Sequence, residues 1–328
     1  RTFFHREFGQ HALRTNMKLN AKKQTLLVAL GGNALIRKGQ VGTVEEQFEN
    51  LKVPIRQIAR LSRKYRIIIT HGNGPQVGNL LLQQECCDTV PQLPLEILVA
   101  QTQGQIGYMI ESTLDSELMA LGISAQKPLV SLISYVVVDE KDQAFREPSK
   151  PIGPILTQER APAFPYPVQK TPKGYRRIVA SPKPITIVEK REITRLIEMD
   201  FIIICCGGGG IPVIREGRTF CGVDAVIDKD LASAKLAEEV GVDIFLIATD
   251  VQGAALNYGQ ADQRFLRNTP MNDAIRYLEQ GHFPPGSMRP KIEAAIQFLQ
   301  TGGKRAVISS IKTIEAAIQG KAGTEIVK

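Results

Sequence analysis

The chain has no tryptophan, only 6% aromatic residues and four histidines among its 328 residues. With so few aromatic platforms, single-stranded nucleic acid has little to stack on. The four histidines (5, 11, 71 and 282) and five cysteines (86, 87, 205, 206 and 221) show no zinc-ligand spacing, so no protein metal site is expected. The cysteines form two adjacent pairs and a single residue, without a C-x-x-C motif. That odd count argues against a disulfide framework and for reduced thiols in a cytoplasmic protein. No apolar run approaches the ~18 residues that a membrane helix needs, so no membrane partner is expected.

What the chain does have is a basic excess, 41 Lys and Arg against 33 Asp and Glu, or +8. Residues 1–24 account for +5 of it, with Arg1, Arg6, Arg14, Lys18, Lys22 and Lys23 against Glu7. The other 304 residues are nearly balanced at +3. The charge therefore belongs to an N-terminal extension, and a nucleic-acid partner is not expected. Met17 reads as a start residue. Residues 1–24 are expected to lack ordered structure, and residues 25–328 to form one domain.

Short apolar runs alternate with helical patterns along that domain. Strands are expected at 26–30, 67–69, 128–138, 201–206, 244–248 and 306–309. Helices are expected at 44–64, 96–121, 185–199, 231–240 and 290–300. Strands that are apolar on both faces, separated by helices, indicate a mainly parallel sheet covered on both sides: an α/β fold. Pro54 should kink or break the first helix near Val53. Residues 139–184 interrupt the alternation with nine prolines. They are read as a protruding insertion, a hairpin subdomain or lid.

Three glycine-rich turns follow three of the strands: Gly31-Gly32-Asn33-Ala34, His71-Gly72-Asn73-Gly74-Pro75-Gln76-Val77-Gly78 and Gly207-Gly208-Gly209-Gly210-Ile211-Pro212. Ligands of open α/β sheets bind at the carboxyl ends of strands, where glycine lets backbone N–H groups approach an anion. A tight turn accounts for any one of these loops; three at strand ends point to a site. The chain contains no G-x-x-x-x-G-K-[ST] motif, no G-x-G-x-x-G after a strand and no G-x-S-x-G elbow. P-loop, dinucleotide and serine-hydrolase chemistry are therefore set aside. Two further segments carry charge at helix starts. In Gly222-Val223-Asp224-Ala225-Val226-Ile227-Asp228-Lys229-Asp230, the lysine reads as an ion pair or a phosphoryl ligand. In Gly286-Ser287-Met288-Arg289-Pro290-Lys291, Pro290 suits a first helical turn, which places Lys291 where an anion is favoured.

Taken together, these segments resemble carbamate kinase, a member of the amino-acid kinase superfamily. Thr102-Gln103-Gly104-Gln105-Ile106-Gly107-Tyr108, Ser149-Lys150-Pro151-Ile152-Gly153-Pro154 and Ser181-Pro182-Lys183-Pro184 add to the match, which runs in order from about residue 26 to 328. The resemblance implies an open αβα sandwich with a mainly parallel sheet and a small protruding subdomain. It implies an acceptor-binding lobe over 25–200, carrying the 139–184 insertion, and a nucleotide-binding lobe over 201–328.

The implied reaction is ATP + carbamate ⇌ ADP + carbamoyl phosphate, used to make ATP in arginine or related catabolism. Positioning and electrostatics would drive it. Lys150, Lys229, Lys291 and Asp230 would be catalytic, with Asp230 orienting Lys229 and the glycine loops. Gly31, Gly32, Asn33, Gly72, Asn73 and Gly74 would offer N–H donors, and Gly208 and Gly209 would close the acceptor pocket. Lys229, Thr249, Asp250, Tyr258, Met288 and Lys291 would face the nucleotide. ATP and ADP as substrates, Mg²⁺ and a homodimer are also implied. One departure stands out: Lys170-Thr171-Pro172-Lys173-Gly174-Tyr175-Arg176-Arg177 lies where family members carry an acidic stretch. The alternatives are another small-carboxylate kinase of the superfamily and a non-catalytic ligand-sensing homologue.

Overall fold

Six residues of unbroken burial, Thr25–Leu30, form the first strand of the central sheet, β1. Its side chains alternate between two cores, as a pleated strand requires. Leu26, Val28 and Leu30 enter one, while Leu27 and Ala29 enter the other. Each fully buried Leu or Ile contributes about 1.5–3 kcal/mol relative to exposure. The computed structural model describes residues 23–156, 166–171, 174–284 and 286–328. All but the last two residues of the expected N-terminal extension lie outside the described residues, as do Pro162, Pro165 and Pro172 of the insertion.

The other strands of this sheet are β2 (Arg66–His71), β3 (Leu129–Ser131), β4 (Ile202–Ile204), β5 (Ile244–Thr249), β6 (Asn268–Pro270), β7 (Arg305–Ser310) and β8 (Thr324–Val327). Their order across the sheet is β6-β8-β7-β5-β1-β2-β4-β3. All neighbours are parallel except β7 and β8. On one face lie α1 (Val44–Leu61), α3 (Leu95–Ala120) and α8 (Ile314–Ile318), through residues such as Ile55, Ile110 and Ile314. On the other lie α4 (Lys190–Glu198), α5 (Lys229–Val240), α6 (Met271–Glu279) and α7 (Met288–Gln300). Between β2 and α3 the chain forms α2 (Gly74–Glu85). The expected doubly covered, mainly parallel sheet is present.

Four local expectations change. Pro54 does not break α1: the helix is continuous, and the proline is buried in its core-facing side, where packing offsets the missing N–H. A capping box between Thr43 and Glu46 fixes the helix start. The single strand expected over 128–138 is two strands. β3 belongs to the central sheet, and Tyr135–Val137 pairs with Ile211–Glu216 and Thr186–Ile187 in a second sheet. Residues 185–199 begin with that short strand Thr186–Ile187 before α4. Finally, β4 lies between β2 and β3, so the half of the sheet built by the early chain also takes a strand from beyond residue 200.

The insertion carries a three-stranded antiparallel sheet of Lys150–Leu156, Val168–Thr171 and Gly174–Val179. Ile152 and Val179 enter a third apolar cluster with Val77 and Leu81 of α2. The contact is backbone-close: a Cβ on Gly78 would sit 2.0 Å from Gly153 Cα. Glycine at 78 thus lets the insertion rest on α2. Arg176 Nη2 donates to Gly153 O at 2.8 Å and fixes the same strand from the far side.

Candidate active site

The carboxyl ends of β1, β2 and β5 converge with the starts of α2, α5 and α7 around a narrow cleft of about 180 Å³. Its walls include Gly32, Asn33, Gly74 and Gly208, together with Lys150, Lys229 and Lys291. The lysines arrive from three elements. Lys150 opens the first insertion strand, Lys229 opens α5, and Lys291 is in the first turns of α7, after Pro290.

Two aspartates hold them. Lys229 Nζ donates to Asp230 Oδ1, and Lys291 Nζ donates to Asp230 Oδ2 at 2.8 Å. Lys150 Nζ donates to Asp228 Oδ2. Asp228 also caps α5, its Oδ1 accepting the Asp230 amide at 2.9 Å. Three ammonium groups face two carboxylates, which leaves one positive charge for an incoming anion. Asp228 belongs to the site although sequence reasoning did not select it. The available signal was an aspartate directly before a helix start.

Burial alone would raise the Asp230 pKa, but the Lys229 and Lys291 ammoniums outweigh it and hold the carboxyl well below the usual range. Burial likewise opposes ionisation of Asp228, and Lys150 more than compensates. The lysines diverge. Burial pushes Lys229 down against the pull of Asp230, with Lys291 adding repulsion. Lys291 is pushed up despite its burial, because Asp230, Asp228 and Asp250 all face it. Behind the cleft, burial lowers His71 to about 4, so the ring is neutral near pH 7. Its Nδ1 lies 3.2 Å from the Gly72 carbonyl.

The glycine loops divide into donors and spacers. The Gly31 amide donates to Ala248 O at 2.9 Å and the Gly72 amide to Leu30 O at 3.1 Å. Both continue the sheet ladder, so the expectation that these two amides serve a ligand is corrected: they give the cleft room. The Gly209 amide donates to Cys206 O at 3.0 Å, and a Cβ there would lie 2.3 Å from Ile227 O. Gly209 therefore packs against Ile227 and does not line the cleft. Gly31, Gly32, Asn33, Gly72, Asn73, Gly74 and Gly208 all line the wall. The Asp230 carboxylate accepts from lysines at both oxygens.

A wider cavity of about 370 Å³ adjoins the narrow one, sharing Asn33, Thr249 and Lys291. Thr249, Asp250, Tyr258 and Met288 line it, and Tyr258 is exposed. Among the described residues, no group of three or more His, Cys, Asp or Glu is placed to hold a metal ion. The two aspartates of the narrow cleft accept from lysines.

The amino acid kinase family model matches residues 24–310. The carbamate kinase of Thermococcus kodakarensis is 47% identical over 313 residues, covering 92% of this chain and 99% of that protein. A carbamate kinase-like protein of Escherichia coli is 41% identical, covering 93% of this chain and 99% of its own length. Among solved structures, the carbamate kinase from Giardia lamblia bound to citric acid superposes with a TM-score of 0.89 at 38% identity, covering 94% of this chain and 99% of that one. The same enzyme bound to AMP-PNP gives 0.84 at 37% identity, covering 94% and 99%. Fold, site and relatives agree: the chain belongs to the carbamate kinases of the amino acid kinase family.

Proposed function

We propose that the protein catalyses ATP + carbamate ⇌ ADP + carbamoyl phosphate, with the narrow cleft as the transfer site and the wide cavity as the nucleotide site. The observation that carries this reading is the cluster of Lys150, Lys229 and Lys291 around two aspartates at the glycine loops. Forward, a carbamate oxygen bonds to the γ-phosphorus as the bond to the ADP oxygen breaks. In reverse, an ADP β-phosphate oxygen attacks the phosphorus and carbamate leaves. No proton moves and no enzyme intermediate forms, so the work is charge neutralisation and alignment.

Lys229 and Lys291 neutralise the phosphates in this reading, and Asp230 keeps the two ammoniums apart and aimed. Lys150 reaches the transferred group from the insertion. The start of α2, which has no side-chain cap, favours anions further. Magnesium enters as part of the substrate, chelated by the nucleotide phosphates. Carbamoyl phosphate is a reactive acyl phosphate, which supports the ATP-forming direction, in arginine or related catabolism. Five free cysteines fit a reducing, cytoplasmic setting. Among the described residues no helix is long and apolar enough to cross a membrane. A homodimer is also proposed: β3 is a sheet edge, and Tyr108 and Met119 of the nearby α3 are exposed.

The test is ATP formation from ADP and each of two acyl phosphates. Carbamoyl phosphate should be turned over and acetyl phosphate should be a poor substitute. The reverse preference would indicate a different small-carboxylate kinase. No turnover of either would indicate a ligand-sensing homologue.

A further inference from the structure

With Asp230 committed to lysines, the glycine loops need another support. Asn73, in the second loop, donates from Nδ2 to Thr102 Oγ1 at 2.9 Å. Gly207, in the third loop, accepts from Gln103 Nε2 at 3.0 Å. Thr102 and Gln103 are consecutive in α3, and both are buried. The same Nε2 donates to Ser134 O at 3.2 Å, while Gln103 Oε1 accepts the Ser134 amide at 2.9 Å. Ser134 Oγ in turn accepts the Cys206 amide at 3.0 Å.

The loop so held is a strained one. Cys206, Gly208, Gly209 and Gly210 have φ of 49°, 67°, 93° and 89°. A left-handed cysteine persists only where its surroundings over-determine it. The second and third loops also touch, for a Cβ on Gly208 would lie 2.2 Å from Asn73 Nδ2. Two walls of the narrow cleft are thus pinned to neighbouring residues of one helix.

We infer that Gln103, assisted by Thr102, is a positioning residue for the acceptor half of the cleft, setting the Gly207–Gly210 loop against Asn73. The inference rests on the phosphoryl-transfer reading above. Its chemistry requires an amide, which donates to two carbonyls and accepts one N–H; a carboxylate or thioether cannot do both. None of these bonds reaches Asp250, Tyr258 or Met288, so nucleotide binding is spared.

Gln103→Met is expected to lower kcat/KM for carbamoyl phosphate about 10- to 100-fold while KM for ADP changes less than about twofold, since small misplacements penalise reaction geometry. Amide hydrogen exchange of the substrate-free protein should accelerate over 205–211 and stay unchanged over 286–291. Thr102→Val acts through the other anchor and should show the same kinetic split, with Thr102→Ser recovering most of it because the hydroxyl remains. If Gln103→Met does not fold, the Thr102 pair carries the test. Parallel losses toward both substrates, or unchanged exchange over 205–211, would overturn the inference. Wild-type protein inactive on carbamoyl phosphate would refute the reaction instead, and the exchange data would then decide the positioning claim alone.

Discussion

The two parts of the cleft are built on different principles. In the narrow part, Asp228, Asp230 and Lys229 are largely buried, and every ammonium has a carboxylate partner before any ligand arrives. In the wide part, Tyr258 is 55% exposed and Asp250 faces solvent. A buried ion-pair network is costly to form and rigid once formed. An open, partly apolar cavity binds by contact area and lets its ligand leave. On the proposed function, chemistry and nucleotide exchange are divided between the two parts. Changes in the narrow part should strike kcat, and changes in the wide part should strike KM.

That contrast can be broken at several points. Asp230→Ala should have the largest effect, because it strands two buried lysines. About 3–5 kcal/mol of stability should be lost, read as a lowered midpoint in chemical denaturation, together with nearly all turnover. Lys150→Ala comes next. On the proposed mechanism it removes a charge placed at the transferred group but outside the deepest core, so kcat should fall about 10²- to 10³-fold with the fold intact, checked by steady-state kinetics and circular dichroism.

A smaller effect concerns pH. Because burial lowers the Lys229 pKa, this lysine loses its proton at a lower pH than an ordinary lysine. Activity should therefore decline on the alkaline side below the ordinary lysine value of about 10.4. Lys229→Arg, whatever activity it keeps, should move that limb upward, since arginine stays protonated. The smallest effect is expected in the wide part: Tyr258→Ala should raise KM for ADP a few-fold, with kcat within about twofold. A kcat collapse in Tyr258→Ala would erase the distinction between the two parts.

The contrast also marks what was legible in the sequence. β1, β2, β5 and β7 stood out because each has a central run of three or more apolar residues buried on both faces. Lys229 and Lys291 were legible because each sits at a helix start, Lys229 between two aspartates and Lys291 directly after Pro290, a local pattern. α2 carried no such signal: it begins Gly-Pro and mixes glutamines with leucines, so its helicity depends on resting against α3 and the insertion. The break between β3 and Tyr135–Val137 was hard to read because the run 128–138 is mostly apolar, with Ser131 and Ser134 its interruptions; the chain changes sheets at a buried Ser134 held by Gln103. Spent amides could not be read either. Whether Gly31 or Gly72 offers its N–H depends on which strand lies beside it. Gln103 and Gly207 are 104 residues apart, and only the folded sheet brings them together.

The most direct test of the account is Lys229→Ala in the assay that forms ATP from ADP and carbamoyl phosphate. Lys229 is a largely buried ammonium that lines the narrow cleft and pairs with Asp230. Folded protein with turnover at least about 100-fold below wild type is expected, the loss residing in kcat. Turnover above a tenth of wild type would contradict it, as would a loss confined to KM for ADP.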